Sequence, residues 1–198
     1  MQMPLPANLQ MLLKNKGILT AAQANVLGIS NERLRLLVRS GDLERVSHGV
    51  YISPDDHVDR MYIAQQRRRK IIYSHETALY LHELTDRDPI SYTVTVPTGY
   101  NTKTLREAGL AVFAVKRELH ELGAVQMETM FGNAVLAYGL ERTICDCIRS
   151  RSQMDIAIVT DAVKRYSKRK DKHLDVLMQM AEEFRIVKPI RSYMEVLL

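Results

Sequence analysis

Asn31-Glu32-Arg33-Leu34-Arg35-Leu36-Leu37-Val38-Arg39-Ser40-Gly41, continuing into Asp42-Leu43-Glu44-Arg45-Val46-Ser47-His48-Gly49-Val50-Tyr51-Ile52, changes its period partway along. In the first half, Leu34, Leu37 and Val38 recur at the i, i+3, i+4 spacing of an amphipathic helix, with Ser30 as its N-cap and Gly41 as its stop. In the second half, Val46 and Val50-Tyr51-Ile52 flank Ser47-His48-Gly49, which reads as strand, glycine turn and strand. Upstream, Leu9, Leu12 and Leu13 mark a helix that stops at Lys16-Gly17. Ala21 to Leu27 form a short helix ending at Gly28, with Thr20 and Gln23 placed as a capping box. Helix, short helix, tight turn, helix and hairpin is the order of a winged helix-turn-helix.

Pro54-Asp55-Asp56 breaks this pattern, so the sequence divides into a winged-helix domain over 1–55 and a second domain over 56–198. The second part opens with a polar helix over 57–70 that ends in Arg67-Arg68-Arg69-Lys70. Another helix runs from Ser74-His75-Glu76 to Leu84. Ser91 to Val96 alternate strictly and stop at Pro97, and Leu110–Val115, Val125–Phe131 and Asn133–Ala137 read as further strands. Helical periodicity then fills 141–151, 154–167, 171–184 and 188–197. The expected fold is α+β: a winged helix-turn-helix, then a small sheet with a C-terminal helical bundle.

The 198 residues carry 28 Lys and Arg against 23 Asp and Glu, a net charge of +5, which favours an anionic partner once the charge is clustered. No apolar run approaches the ~20 residues needed to cross a bilayer. The N-terminal residues lack the charged and apolar blocks of a secretory signal. Cys145 and Cys147 stand two apart on a helical segment, where side chains do not face each other. Reduced thiols and a cytoplasmic location follow.

With Leu34, Leu37 and Val38 turned inward, the outer face of the third helix carries Asn31, Arg33, Arg35 and Arg39. These residue types suit DNA, because Arg forks onto guanine and Asn pairs with adenine in the major groove. Asn31 and Arg33, near the helix N-terminus, are placed for base edges. Lys14, Lys16 and Arg39 are placed for phosphates, and Arg45, Ser47 and His48 sit where a wing touches DNA. The complication is Glu32, with Asp42 and Glu44 nearby, which leaves the domain almost neutral. A purely solubilising role for each arginine, taken singly, is the competing account.

Residues 14–54 also resemble a family. Gly17-Ile18-Leu19-Thr20, Leu34 to Gly41 and Leu43-Glu44-Arg45-Val46-Ser47-His48-Gly49-Val50-Tyr51 look like the N-terminal domain of AbiE-type abortive-infection antitoxins. Ser74-His75-Glu76-Thr77-Ala78-Leu79-Tyr80-Leu81-His82 is similar to the segment that follows there. The resemblance implies an antitoxin of a type IV toxin–antitoxin system that represses its own operon at promoter inverted repeats, sites that would accommodate two copies, although the sequence leaves the oligomeric state open. It also implies neutralisation of a nucleotidyltransferase toxin through the C-terminal domain without a tight complex. That second role comes from the resemblance only.

Lys164, Arg165, Lys168, Arg169 and Lys170 form a second basic run, read either as another phosphate-contacting patch or docking site for RNA or a partner, or as a solvated loop. His75 and His82 are too far apart for an i, i+4 metal pair, so neither a metal nor a cofactor is implied. Catalysis is not expected. Asp86, Asp88 and Asp161 are scattered, no acidic-x-Lys pair of a nuclease ends a strand, and the Gly-Ser and paired aspartates of a nucleotidyltransferase are missing. The alternatives are a stand-alone winged-helix regulator and a nuclease targeted by its winged helix.

Overall fold

The computed structural model describes residues 6–54 and 58–197. The expected boundary at 55/56 lies outside the described residues. By internal contacts the chain forms two compact units, Met1–Arg69 with Glu128–Val135, and Lys70–Met127 with Leu136–Leu198.

The first unit begins α1 (Ala7–Lys16), β1 (Leu19–Thr20), α2 (Ala21–Val26), α3 (Asn31–Ser40), β2 (Glu44–Ser47) and β3 (Val50–Ile52). Gly17 and Gly41 end α1 and α3 at φ 63° and 82°, a left-handed conformation that glycine adopts without steric cost. The capping box forms as the sequence predicts. Gln23 N donates to Thr20 Oγ1 at 3.2 Å, and Thr20 N donates to Gln23 Oε1 at 2.9 Å. Ser30 likewise accepts from Arg33 N at 3.2 Å, tying down one of the free N–H groups at the start of α3.

The hairpin separates two apolar clusters. Tyr51 packs with Leu9, Leu13, Leu34 and Leu37, while Val46, Val50 and Ile52 join Ile18 and half-buried side chains of α4 (Arg60–Arg67). A two-stranded hairpin was expected, but β1 pairs antiparallel with β3, giving a sheet of order β1-β3-β2. Two residues are too few to show a period, which is why β1 is invisible in the sequence. Asp59 caps α4, accepting from Tyr62 N at 3.0 Å, and is buried where Asn133 Nδ2 (2.9 Å) and Thr129 Oγ1 (2.5 Å) also donate to it.

The second unit contains β4 (Ile72–Tyr73), α5 (His75–Leu81), β5 (Thr93–Pro97), α6 (Lys103–Glu107) and β6 (Ala111–Val115). After these come β7 (Ala124–Glu128), β8 (Ala134–Tyr138), α7 (Leu140–Arg149), α8 (Ile156–Lys168), α9 (Leu174–Glu183) and α10 (Val187–Leu197). The mixed sheet runs β6-β5-β4-β8-β7, and β5 and β6 are parallel in register from Thr93↔Ala111 to Pro97↔Val115. The helical bundle buries Leu79, Ile144, Ile148, Val159, Val163, Leu177 and Ile190 in one cluster. The α+β architecture is as expected. β4 and α6, of two and five residues, are too short to show a period in the sequence.

α7 is buried nearly all round, including its charges. Arg142 Nε donates to Asp146 Oδ2 at 2.9 Å, and Arg149 Nη2 donates to Asp146 Oδ1 at 3.0 Å. The Arg142 guanidinium also lies over the rings of Tyr138 (3.9 Å) and Phe184 (4.2 Å). Asp146 thus pairs with both arginines, Arg142 fully buried and Arg149 partly exposed, and burial of such charges is tolerable only when they are paired.

Candidate nucleic-acid interface

Strand alternation decides what the hairpin presents. Glu44 and Val46 lean to one face of β2 and Arg45 to the other, opposite Tyr51 of β3. On the first face, Arg67 of α4 lies 3.6 Å from the Glu44 carboxylate and donates from Nε to Val46 O at 3.2 Å. On the second, Arg45 points toward α3. A groove of about 330 Å³ lies there, lined by Asn31, Arg35, Val38, Arg39, Arg45, His48 and, at its floor, Tyr51, with Ala21 and Gly49.

Helix geometry explains which residues of α3 reach this groove. Asn31, Arg35 and Arg39 stand four apart and form one stripe, while Arg33 is turned roughly 160–200° away from Asn31 and Arg35. Arg33 is half-buried and outside the groove. In the wing, Arg45 Nη2 is 3.2 Å from His48 Nδ1, and Arg45 Nε donates to Ser47 O at 3.3 Å. Ser47 contributes that carbonyl but does not line the groove. Lys14 is exposed on α1 and also lies outside it, and the side chain of Lys16 lies outside the described residues.

The structure therefore gathers Asn31, Arg35, Arg39, Arg45 and His48, and it leaves Arg33, Ser47 and Lys14 apart. Of the three acids that made the domain look neutral, Asp42 and Glu44 are engaged elsewhere and Glu32 stands exposed on α3 outside the groove lining. Glu44 pairs with Arg67, and Asp42 accepts from Ser40 Oγ at 2.5 Å. Three arginines with no acidic lining residue make the groove locally cationic, although the sequence around it is not. Arg67, assigned to a basic run at a helix end, proves to be a brace for the wing. Only the three-dimensional pairing of α4 with β2 reveals it.

The second basic run is different in kind. Arg165 donates from Nε to Asp161 Oδ2 at 2.8 Å and also forks onto the Asp86 carboxylate. Arg169 holds Asp171 at 2.7 Å and donates to His82 O at 2.9 Å. These hydrogen bonds hold the Asp86 carboxyl below its ordinary range and push that of Asp171 down to about 2. Lys164, Lys168 and Lys170 are exposed cations at the end of α8, but both arginines of the run are already committed.

His75, at φ 48°, is buried with Nδ1 3.0 Å from Ser74 Oγ and Nε2 3.0 Å from Ser150 Oγ, and its ring stacks on Phe113 at 3.7 Å. Ser74 stands at the N-cap of α5 yet makes no side-chain cap bond. Its hydroxyl faces His75 and accepts from Thr95 Oγ1. His82 Nε2 meets Tyr138 O at 2.8 Å. Cys145 and Cys147 are free and buried, which pushes the Cys145 thiol up to about 12. Among the described residues no cluster of His, Cys, Asp or Glu is arranged to hold a metal ion, and no helix is long and apolar enough to cross a membrane.

The first unit is thus a winged helix-turn-helix with a cationic groove between its recognition-helix position and its wing. Residues 9–54 match the family model of the AbiEi antitoxin transcriptional regulators, which supports the resemblance seen in the sequence. The match spans α1 through the wing and stops before α4. The fold is similar to the crystal structure of the RV2827C protein from Mycobacterium tuberculosis. The TM-score is 0.53 at 13% identity over 91% of this chain and 73% of that one. No curated protein matches the chain.

Proposed function

We propose that the chain is a DNA-binding antitoxin and repressor, with its first unit docked on double-stranded operator DNA through α3 and the β2–β3 wing. The observation that carries this reading is the groove in which Arg35, Arg39 and Arg45 converge. When a helix occupies the major groove and a wing reaches the neighbouring minor groove, one sugar–phosphate strand must pass between them. The cationic groove between α3 and the wing would receive that strand. Arg35, Arg39 and Arg45 then hold consecutive phosphates, and His48 with Asn31 closes the two ends.

The family match over residues 9–54 supports the wider role. In that role the protein represses its own promoter at inverted repeats, one copy on each half-site. It counteracts a nucleotidyltransferase toxin in the cytoplasm through residues beyond the winged helix, and it performs no catalysis itself. The test uses the full chain and the DNA upstream of its gene in gel-shift titrations. Arg35→Ala and Arg39→Ala should each weaken binding about tenfold or more, and Arg33→Ala much less. Equal affinity for all three would overturn the interface. The gene beside that for this chain should encode a nucleotidyltransferase whose toxicity is relieved by coexpressing the two, and failure to restore growth would remove the antitoxin role.

A further inference from the structure

The groove accounts for Arg35 and Arg39 of α3 but leaves the outermost stripe of the helix without a role. Glu32 and Leu36 stand four apart on α3, so they lie one above the other. Each is next in sequence to a groove residue, roughly 100° further round the helix, on the side away from buried Leu34 and Leu37. Leu36 is 41% exposed, although Leu34, Leu37 and Val38 already supply the apolar face of the helix. Glu32 is exposed and makes no ion pair among the described residues, whereas Asp42 and Glu44 are both engaged. An unpaired carboxylate beside a bare leucine is a poor surface for phosphate. It is a good one for the edge of a base pair.

We propose that Glu32 and Leu36 are the specificity-determining residues of α3, reading a cytosine and a nearby thymine in the major groove. This rests on the DNA-binding reading above. A carboxylate accepts from the cytosine N4 amino group and is repelled by the acceptor atoms that guanine and thymine present. A leucine side chain packs on the thymine C5 methyl, the one apolar group in the major groove. The two positions are ~6 Å apart along the helix, so the two bases lie within about two steps of ~3.4 Å. The flanking arginines then fix register on the backbone while this pair supplies sequence preference, the usual division between phosphate and base contacts. A negative charge at this place lowers affinity for DNA in general and so raises discrimination.

The test is selection of the full chain against a randomised duplex library, repeated with Glu32→Gln and Leu36→Ala. Both residues are exposed, and retained thermal stability confirms that the variants fold. The wild-type motif should contain a cytosine whose preference moves to adenine in Glu32→Gln, since a glutamine amide pairs with adenine. It should also contain a thymine whose preference vanishes in Leu36→Ala. Replacing that thymine by deoxyuridine, which lacks the methyl, should weaken wild-type binding about 3- to 10-fold and leave Leu36→Ala unchanged. If both variants select the wild-type motif, or if Glu32→Gln merely binds all DNA more tightly, the base-reading role is wrong while DNA binding stands. If the wild type enriches no motif, both fail.

Discussion

Arg45 Nη2 lies 3.2 Å from His48 Nδ1 across the turn of the β2–β3 hairpin. A guanidinium only donates, so the imidazole nitrogen facing it must accept. That contact and the bond to Ser47 O fix the long Arg45 side chain against its own wing, with its charge facing the groove. His48 is therefore a positioning residue. His48→Ala should cost a few-fold in DNA affinity, about the 0.5–1.5 kcal/mol of one hydrogen bond, and Arg45→Ala should cost more. Fluorescence anisotropy on labelled operator DNA measures both. In an Arg45→Ala background, His48→Ala should cost nothing more, and a further loss there would mean that His48 binds DNA independently of Arg45.

The turn itself depends on Gly49, whose φ is 72° and whose added Cβ would sit 3.6 Å from the Ala21 Cβ. There is room for a methyl group, so the cost of Gly49→Ala is backbone strain of about 1–2 kcal/mol. Urea denaturation should show that loss.

Among the described residues Asp146 is the only carboxylate that hydrogen-bonds to the buried Arg142, and it also holds Arg149. Removing it strands charge in the core, so Asp146→Ala should destabilise the protein by about 3–5 kcal/mol. Because burial of the pair is itself costly, replacing Arg142 and Asp146 together by apolar residues should cost far less than the single change. Thermal denaturation of the two variants makes that comparison.

Burial pushes His75 down to about 4, against 6.5 when it is free. Between those values the unfolded chain binds a proton that the folded chain refuses, so stability must fall as the pH drops. It should be level above about pH 7 and decline from pH 6.5 towards 4, by up to about 1.4 kcal/mol per pH unit from this group. His82 and His120 are also lowered by burial and add in the same direction. His75→Asn tolerates the positive φ and should flatten the decline in denaturation curves taken across this range.

The fold was legible wherever a segment was long enough to show a period or carried its own cap. α3 announced itself through Leu34 and Leu37, α2 through Thr20 and Gln23, and the four C-terminal helices through their apolar spacing. β1, β4 and α6 were not legible, because two or five residues hold no periodicity and their conformation is set by partners distant in sequence. The site was half legible. Composition named Asn31, Arg35, Arg39, Arg45 and His48, and the spacing of four would have set Arg33 apart from them. Nothing local tells that Glu44 is answered by Arg67, a contact between residues 23 apart that leaves the groove basic. The same limit hid the pairing of Arg165 with Asp86.

The central claim, that a DNA backbone strand lies between α3 and the wing, is tested most directly by salt dependence. For the full chain on operator DNA, the logarithm of the binding constant should fall linearly with the logarithm of salt concentration. The slope should lessen by about 0.9 for each of Arg35→Ala, Arg39→Ala and Arg45→Ala, one phosphate apiece. Arg33→Ala and Arg165→Ala should leave it unchanged. Slopes that stay at the wild-type value in all three groove variants would contradict the account.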